Sequence, residues 1–175
     1  MATIWTIDPT HSEVEFKVKH LVITTVTGRF NAYTGTIQAS DDSFLDAQVA
    51  FEAQIDSIST GQEQRDAHLK SAEFFDAATY PTLTFASTGL SKKGDGLVLM
   101  GDLTIRGVQQ TISLDVDFGG IEKDLYGKTK AGFALTGKIN RKDFGLTWGA
   151  LTEAGGAVVS DEVRLAINVQ FTKQA

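Results

Sequence analysis

The stretch ISTGQEQRDAHLKSAEFFDAATYPTLTF, residues 58–85, is the part of the chain in which strand-like alternation gives way to helical spacing. Arg65 and Leu69 are four residues apart and would therefore share a helix face. Thr60 and Glu63 have the spacing of a capping box, in which both side chains bond to backbone amides of the first turn. The pattern predicts a helix that begins near Gly61.

The helix is predicted to cover residues 61–75 and to act as a lid. It ends with Phe74 and Phe75, and a helix of this length cannot bury these two rings and Leu69 against itself. The side chains need an apolar surface, which the strands on either side would supply. The segment is therefore expected to cover one end of a β-structure.

Strands precede the helical segment. Between Ser12 and His20 the even positions are mostly apolar and the odd positions are charged, as in a half-buried antiparallel strand. Residues 45–55, in which Leu45 begins the apolar face, alternate most regularly. Residues 28–39 form a less regular strand, in which the apolar parity shifts and Gly35 is predicted to form a bulge.

A series of hairpins follows the helical segment. Pro81 opens one strand, and residues 140–156 are predicted to form a loop that places Phe144 in the mouth of the structure. Alternating apolar residues occupy four further segments, 97–105, 112–118, 129–139 and 163–171.

These segments predict an all-β fold, either a sandwich or an antiparallel barrel of about eight strands with one short helix. Closure into a barrel is favoured because it removes the sheet edges. An eight-stranded barrel has an interior just wide enough for side chains or one slender ligand. The predicted inward face combines phenylalanines with Ala47, Ala53 and Ala131, which fits a tunnel, but alternation alone also fits a solid core.

Composition narrows the classes of function. The 175 residues include no cysteine, and 22 acidic against 16 basic residues give a net charge of -6. Disulfides and thiolate chemistry are therefore excluded, and nucleic acid is disfavoured as a partner. One domain spanning residues 1–175 is expected. No apolar run approaches the roughly 20 residues that span a bilayer, and Met1–Val14 lacks the pattern of a signal peptide. Stable membrane insertion is not expected. A cytoplasmic location is expected.

Five motifs, in order, resemble those of the YceI-like family, whose members are also described as polyisoprenoid-binding proteins. They are WTIDPTHSEVEFKVKH from Trp5, GRF from Gly28, STGQEQRDAHLKSAEFFD from Ser59 with YPTLTF from Tyr80, GDLTIRGV from Gly101, and INRKDFGL from Ile139. Their order and spacing extend over essentially the whole chain. The resemblance implies a lipocalin-like, eight-stranded antiparallel barrel around an apolar cavity that holds an isoprenoid chain or another long lipid. It also implies that many relatives are exported, a pattern from which this sequence departs.

The resemblance, together with strand parity, assigns the candidate apolar lining, and the charged residues of the motifs add two candidate head-group ligands. Arg65 and Arg141 are predicted at the mouth, where a guanidinium can bind a pyrophosphate, quinone, amide or acid head group. Each arginine can instead pair with the acid beside it in its motif, Asp66 or Asp143. The predicted apolar lining consists of Phe16, Val18, Phe30, Val49, Phe51, Leu69, Phe74, Phe85, Leu103, Phe133 and Phe144.

Other site chemistry has weaker support in the sequence. His11 and His20 are nine residues apart and would face opposite sides of an unbroken strand, so no metal site is predicted. The segment Gly127-Lys128-Thr129 resembles the end of a P-loop but lacks the first glycine and precedes a strand. No cofactor and no catalytic set is predicted.

The sequence therefore predicts a protein that is not an enzyme and that binds, carries or stores a long-chain isoprenoid or a similar lipid. Polyprenyl pyrophosphate, an isoprenoid quinone, and a fatty amide or acid are all compatible ligands. A homodimer is also compatible with the sequence. Two alternatives remain open. One is a structural or partner-binding domain with a filled core, and the other is an enzyme acting on a lipid in the barrel, with His20 as its candidate acid or base.

Overall fold

The computed structural model describes residues 2–21, 23–146 and 159–174. Short 3-10 turns lie at Pro9–His11, Ile55–Ser57 and Arg141–Phe144. The regular elements are β1 (Thr3–Ile7), β2 (Glu13–His20), β3 (Thr24–Phe30), β4 (Tyr33–Ala39), β5 (Gln48–Gln54), β6 (Ile58–Ser59), α1 (Glu63–Lys70), β7 (Thr82–Lys93), β8 (Gly96–Ile105), β9 (Val108–Lys123), β10 (Thr129–Asn140) and β11 (Glu162–Lys173).

These strands form one closed antiparallel sheet. Its order is β1-β4-β5-β7-β8-β9-β10-β11, and the ring closes because β11 pairs with β1 as well as with β10. The ring contains eight strands, and the connections between sequential neighbours are mostly short turns. The predicted all-β, eight-stranded antiparallel barrel with one short helix is confirmed.

The remaining strands β2, β3 and β6 lengthen one side of the ring. β2 pairs with β11 next to β1, β3 pairs with β2, and β6 pairs with β3. β1 and β2 are thus two halves of one wall strand, interrupted by the turn Pro9–His11. The same holds for β3 with β4 and for β5 with β6.

Asp8 stabilises the interruption between β1 and β2. Its carboxylate accepts hydrogen bonds from the Thr10 amide at 3.1 Å and from Lys130 Nζ, on β10, at 2.8 Å. The bond from Lys130 is the main reason why the pKa of the Asp8 carboxyl lies well below its ordinary value. Burial opposes this effect, and His11 and Thr10 add to it. The ion pair ties the turn to β10, which lies two strands away around the ring, on the far side of β11.

The parity shift between β3 and β4 has a different cause from the predicted one. β3 ends at Phe30 and β4 begins at Tyr33, so two residues leave the ladder and both of these aromatic side chains remain buried. Within β4 burial alternates strictly, and Gly35 occupies one of the buried positions. The predicted bulge at Gly35 is therefore wrong.

Helix α1 is shorter than the predicted span of residues 61–75, and the predicted capping box is also wrong. Gly61 has a φ of +85°, and this left-handed residue turns the chain so that the helix begins two residues later. The Thr60 hydroxyl donates to Asp66 at 2.5 Å rather than capping the helix. Phe74 and Phe75 follow the helix in turns, where Phe74 is buried.

Two phenylalanine rings lie over glycines of neighbouring strands. A Cβ on Gly28 would lie 2.2 Å from Cζ of Phe16, and a Cβ on Gly101 would lie 2.4 Å from Cζ of Phe85. Each glycine therefore leaves the space that the ring occupies, an arrangement in which an aromatic side chain covers a glycine across a strand pair. The two rings are held against the wall while still facing the interior.

Candidate functional site

The barrel encloses a cavity of about 630 Å³. Apolar side chains from all eight wall strands line it, and several of them, such as Phe51, Leu135 and Ile167, are only half-buried because they face this space. The volume falls in the range of roughly 300 to 1,000 Å³ that is usual for small-molecule sites. Side chains therefore do not fill the interior as a solid core would require.

The structure brings nearly all the predicted site residues to this cavity. Twelve of the thirteen line it: Phe16, Val18, Phe30, Val49, Phe51, Arg65, Leu69, Phe74, Phe85, Leu103, Phe133 and Arg141. Phe144 is the exception. It is fully buried beside the cavity, and Leu146, two residues later, lines the cavity in its place. Gly145, with a φ of +77°, ends the turn between them and changes the direction of the chain.

The small residues of the predicted inward face have different roles. Ala47 lines the cavity, whereas Ala53 and Ala131 are completely buried and do not line it. Strand parity predicted correctly that all three face inward, but it could not separate packed positions from open ones. Part of the predicted loop at 140–156, including Trp148, lies outside the described residues.

Phe44 closes the end of the barrel opposite helix α1, and sequence reasoning missed it. The residue lies in the connection between β4 and β5 and is 2% exposed. Its ring centroid is 5.2 Å from Trp5, 5.4 Å from Phe118 and 5.2 Å from Phe133. The only signal in the sequence was a large aromatic residue directly after the polar turn at residues 41–43.

Leu45 was predicted to begin the inward face, but it is 44% exposed. Phe44 takes the inward place because its φ of +60° turns the side chain under the barrel before β5 begins at Gln48. The closed end of the cavity is therefore made by a loop residue rather than by a strand residue.

Polar side chains gather at the other end of the cavity, which we call the mouth. They come from the end of β2, from the segment between β6 and α1, from α1 itself and from the turn after β10. The mouth residues are Lys19, Thr60, Gln62, Gln64, Arg65, His68 and Arg141. Among the described lining residues the one acid is Glu15, which is ion-paired with Arg29 at 3.2 Å. The mouth thus has an excess of positive charge.

Arg65 is held at the mouth by Thr60. Its Nε donates to the Thr60 hydroxyl oxygen at 2.7 Å, and its Nη2 donates to the Thr60 carbonyl at 2.6 Å. Thr60 in turn donates to Asp66, so the two charged side chains share one partner and do not form the direct ion pair considered as an alternative. Within the described part of the chain, Nη1 of Arg65 has no protein partner, and it remains available to a ligand.

The guanidinium of Arg141 donates mainly to backbone carbonyls, so its role is structural. Its Nη1 donates to the Leu146 carbonyl at 2.7 Å and its Nε to the Ser160 carbonyl at 3.0 Å, while Nη2 lies 3.6 Å from the Asp161 carboxylate. Burial lowers the pKa of this guanidinium, and the charge of Asp161 opposes the effect. The alternative considered from the sequence, that Arg141 pairs with Asp143, is wrong. Arg141 lines the mouth, but its donors tie the chain before and after residues 147–158 together.

His68 connects the helix to the turns that follow it. Its ring packs edge-on against Phe74 with centroids 5.1 Å apart, and Nε2 forms a short hydrogen bond with the carboxylate of Glu73. These contacts hold Phe74 against the cavity. The segment from Thr60 to Phe74 therefore forms one side of the mouth, as the predicted lid required.

Within residues 2–21, 23–146 and 159–174, no group of three or more His, Cys, Asp or Glu side chains is arranged to hold a metal ion. No helix in the same ranges is long and apolar enough to cross a membrane.

Comparison with known proteins agrees with the motifs. Residues 5–171 match the profile of the YceI-like domain. The chain belongs to the YceI-like family. It is 36% identical over 164 residues to protein YceI of Salmonella newport (strain SL254), an alignment that covers 94% of this chain and 83% of that protein. The resemblance read from the five motifs is confirmed.

Solved structures of similar proteins have the same fold. The crystal structure of Burkholderia cenocepacia BcnA superposes with a TM-score of 0.81 at 21% identity, covering 94% of this chain and 98% of that chain. A polyisoprenoid binding domain from Saccharophagus degradans superposes with a TM-score of 0.67 at 18% identity, covering 97% of this chain and 98% of that chain. At these identities the likeness shows the fold.

Proposed function

We propose that this YceI-like protein binds one amphiphilic lipid, with the hydrocarbon chain in the cavity and the head group at the mouth, and that it serves as a carrier or store. The observation that carries the proposal is the cavity itself. Its walls are apolar along their length, Phe44 closes one end, and the polar side chains lie at the other. A ligand with one long apolar part and one polar end matches this distribution.

The cavity volume limits how much of the chain can be enclosed. At about 30 Å³ for each water-sized group, 630 Å³ has room for about 20 carbon atoms. Four isoprene units, or a fatty chain of similar length, fit within it. An isoprenoid is supported further by the Saccharophagus degradans domain of the same fold, whose name states that it binds polyisoprenoids.

The mouth favours a negatively charged or strongly hydrogen-bonding head group. Arg65 has Nη1 available, and Lys19 adds a second positive charge at the rim. A guanidinium forms strong, charge-assisted hydrogen bonds with phosphate or carboxylate oxygens. We therefore place the head group at Arg65 rather than at Arg141, whose donors bind backbone carbonyls.

The proposal is for binding without catalysis. The titratable residues that line the described cavity are Glu15, Lys19, Arg65, His68 and Arg141. Glu15 is ion-paired with Arg29, His68 is hydrogen-bonded to Glu73, and the deep wall is made of aliphatic and aromatic side chains. General acid-base chemistry needs a positioned proton donor or acceptor at the reacting group. None of the described residues supplies one at the closed end.

The proposal is tested by blocking the cavity. Leu165 on β11 lines it, and Leu165→Trp should reduce binding of a fluorescent isoprenoid of about 20 carbon atoms by more than tenfold, because the indole occupies the space of the chain. Arg164→Trp is the matched control, since the adjacent side chain lies on the exposed outer face of the same strand.

Native mass spectrometry of the three proteins after incubation with the isoprenoid gives a second measurement. The wild type and Arg164→Trp should retain one lipid, and Leu165→Trp should appear as the bare chain. Equal retention by all three folded proteins would show that the lipid binds outside the barrel and would refute the proposal.

A further inference from the structure

The turn between β2 and β3 exposes apolar side chains to water. Ile23 is 78% exposed and Leu21 is 38% exposed. Leu21 has a φ of +54°, a conformation that Gly, Asn or Asp usually adopts in turns. Single exposed apolar residues are common on protein surfaces. Two of them at one hairpin tip call for an explanation when the rest of the tip is also unusual.

The parts of β2 and β3 nearest this tip carry charged side chains of one sign, and that sign is positive. Residues 16–28 contain Lys17 and Lys19 and no acidic residue, although the whole chain has a net charge of -6. In the strand register Lys17 lies opposite Thr27, and Lys19 lies opposite Thr25. Lys19 Nζ donates to the Thr25 hydroxyl at 3.0 Å, so its charge is not neutralised there. We call residues 17–21 and 23–27 the mouth hairpin.

The mouth hairpin lies beside the opening of the cavity. Val18 and Val26, on its two strands, line the cavity. The backbone amide of Lys19 donates to Ser160 Oγ at 3.0 Å, and the Ser160 amide donates to the Lys19 carbonyl at 3.0 Å. The Ser160 carbonyl also accepts a hydrogen bond from Nε of Arg141, a mouth residue, at 3.0 Å. The exposed tip therefore stands at the polar end of the barrel, away from Phe44.

We infer that the mouth hairpin docks the protein on an anionic phospholipid bilayer. Leu21 and Ile23 enter the interfacial region, and Lys17 and Lys19 contact the lipid phosphates, which is the combination that holds peripheral proteins on such surfaces. The overall negative charge keeps the contact transient. Docking in this orientation brings the mouth to the leaflet, so that a lipid chain passes into the barrel without crossing water. This last step rests on the proposed function, whereas docking itself does not.

The chain offers a matched control at the opposite end of the barrel. The turn between β9 and β10 exposes Leu125, at 100%, and Tyr126, and Lys123 and Lys128 flank it. Like the mouth hairpin it combines two exposed apolar side chains with two lysines, but it also contains Asp124 and lies at the end that Phe44 closes. If exposed apolar and basic residues alone determined docking, both tips would contribute.

The test is sedimentation of the full chain with phosphatidylcholine vesicles, with and without phosphatidylglycerol. The wild type should bind only the vesicles that contain phosphatidylglycerol, and salt should weaken this binding. Leu21→Asn with Ile23→Ser should lower the affinity about tenfold or more, and Lys17→Gln with Lys19→Gln should lower it about fivefold for each lysine. Leu125→Ser with Tyr126→Ser should bind like the wild type.

Several outcomes would overturn the inference: no binding by the wild type, unchanged binding by the variants of the mouth hairpin, or loss of binding in the Leu125 and Tyr126 variant. A wild-type dimer that the Leu21 and Ile23 substitutions dissociate in analytical ultracentrifugation would show instead that a second copy covers the tip. Lipid retention in native mass spectrometry separates the two proposals. The Leu21 and Ile23 variant, whose substitutions leave the cavity lining unchanged, supports docking if it loses vesicle binding but retains lipid, and vesicle binding without any retained lipid refutes only the cavity proposal.

Discussion

Replacing Phe44 by alanine should destabilise the barrel more than its position in a loop suggests. Truncation of a buried phenylalanine usually costs about 3 to 5 kcal/mol. Phe44 packs against Trp5, Phe118 and Phe133, and each aromatic pair adds about 0.5 to 1.5 kcal/mol beyond the area that it buries, so the upper half of the range is expected. At about 2 to 4 °C for each kcal/mol in a chain of this size, a cost of about 4 to 5 kcal/mol should lower the melting temperature by about 8 to 20 °C.

Urea denaturation followed by circular dichroism measures this cost, with Leu45→Ala as the control. Leu45 is the next residue and is 44% exposed, so its truncation should change the free energy of unfolding by less than about 1 kcal/mol. Phe44→Gly should be at least as stable as Phe44→Ala, because a φ of +60° strains every residue except glycine. A cost below about 1 kcal/mol for Phe44→Ala would refute the role of Phe44 as the closed end.

Three further predictions concern the mouth, the ion pair and the wall. Arg65→Ala should weaken binding of a pyrophosphorylated isoprenoid by about 1.5 to 3 kcal/mol more than binding of the matching alcohol, and calorimetry showing equal losses would contradict the head-group assignment. Lys130→Met should lower the free energy of unfolding by about 1 to 3 kcal/mol at pH 7 in urea titrations, because it removes the ammonium group that makes the strongest hydrogen bond to the mostly buried carboxylate of Asp8. The lowered pKa of Asp8 means that this contribution is present above the unfolded-state pKa of about 3.9 and declines below it, so the difference should shrink by pH 3; a constant difference would contradict the pairing. Gly28→Val should cost about 1 to 3 kcal/mol in the same titration and reduce lipid uptake, since its Cβ displaces Phe16 toward the cavity; unchanged uptake would contradict the packing.

The barrel could be predicted from the sequence because its signal is local. Alternation with a period of two places every second side chain on one face of a strand, whatever the strand pairs with. Residues 47–55 and 129–139 therefore showed their inward positions before any pairing was known, and Val49 and Phe133 do line the cavity. Alternation alone fitted both a sandwich and a barrel. The family resemblance carried by the five motifs implied the barrel.

Features that depend on one backbone angle or on a distant partner could not be predicted in this way. The start of α1 is set by the left-handed φ of Gly61, and Phe44 is turned inward by its own positive φ. Neither angle has a pattern in the sequence. The prediction that Phe144 lines the cavity failed for a related reason. Gly145 changes the chain direction directly after Phe144 and brings Leu146 to the cavity instead.

The partners of the two mouth arginines show the same limit. Sequence proximity suggested the neighbouring acids, Asp66 and Asp143. In the structure Arg65 instead donates a hydrogen bond to Thr60. Arg141 donates to backbone carbonyls that follow it in the chain, and Asp161 lies nearby. Arginine offers five donors in a fixed fork, and carbonyl oxygens in a folded loop satisfy that geometry as well as a carboxylate does. Charge pairing along the sequence therefore does not identify which arginine is available to a ligand.

The energetics of the cavity indicate where selectivity must lie. Moving about 20 methylene-sized groups from water into the barrel is worth about 16 kcal/mol at roughly 0.8 kcal/mol each, close to the ceiling of about 18 to 21 kcal/mol for non-covalent binding. A lipid that starts in a bilayer has already gained this free energy, so transfer of its chain into the apolar cavity is close to balanced. Small terms then decide whether the lipid enters. Two of them are the hydrogen bonds that Arg65 makes to the head group and the fit of the hydrocarbon chain above Phe44. The third is the cost of moving the chain through water between the leaflet and the mouth, which docking by Leu21 and Ile23 would remove. An apolar cavity with few polar groups at one end is therefore suited to reversible exchange with a membrane rather than to permanent capture.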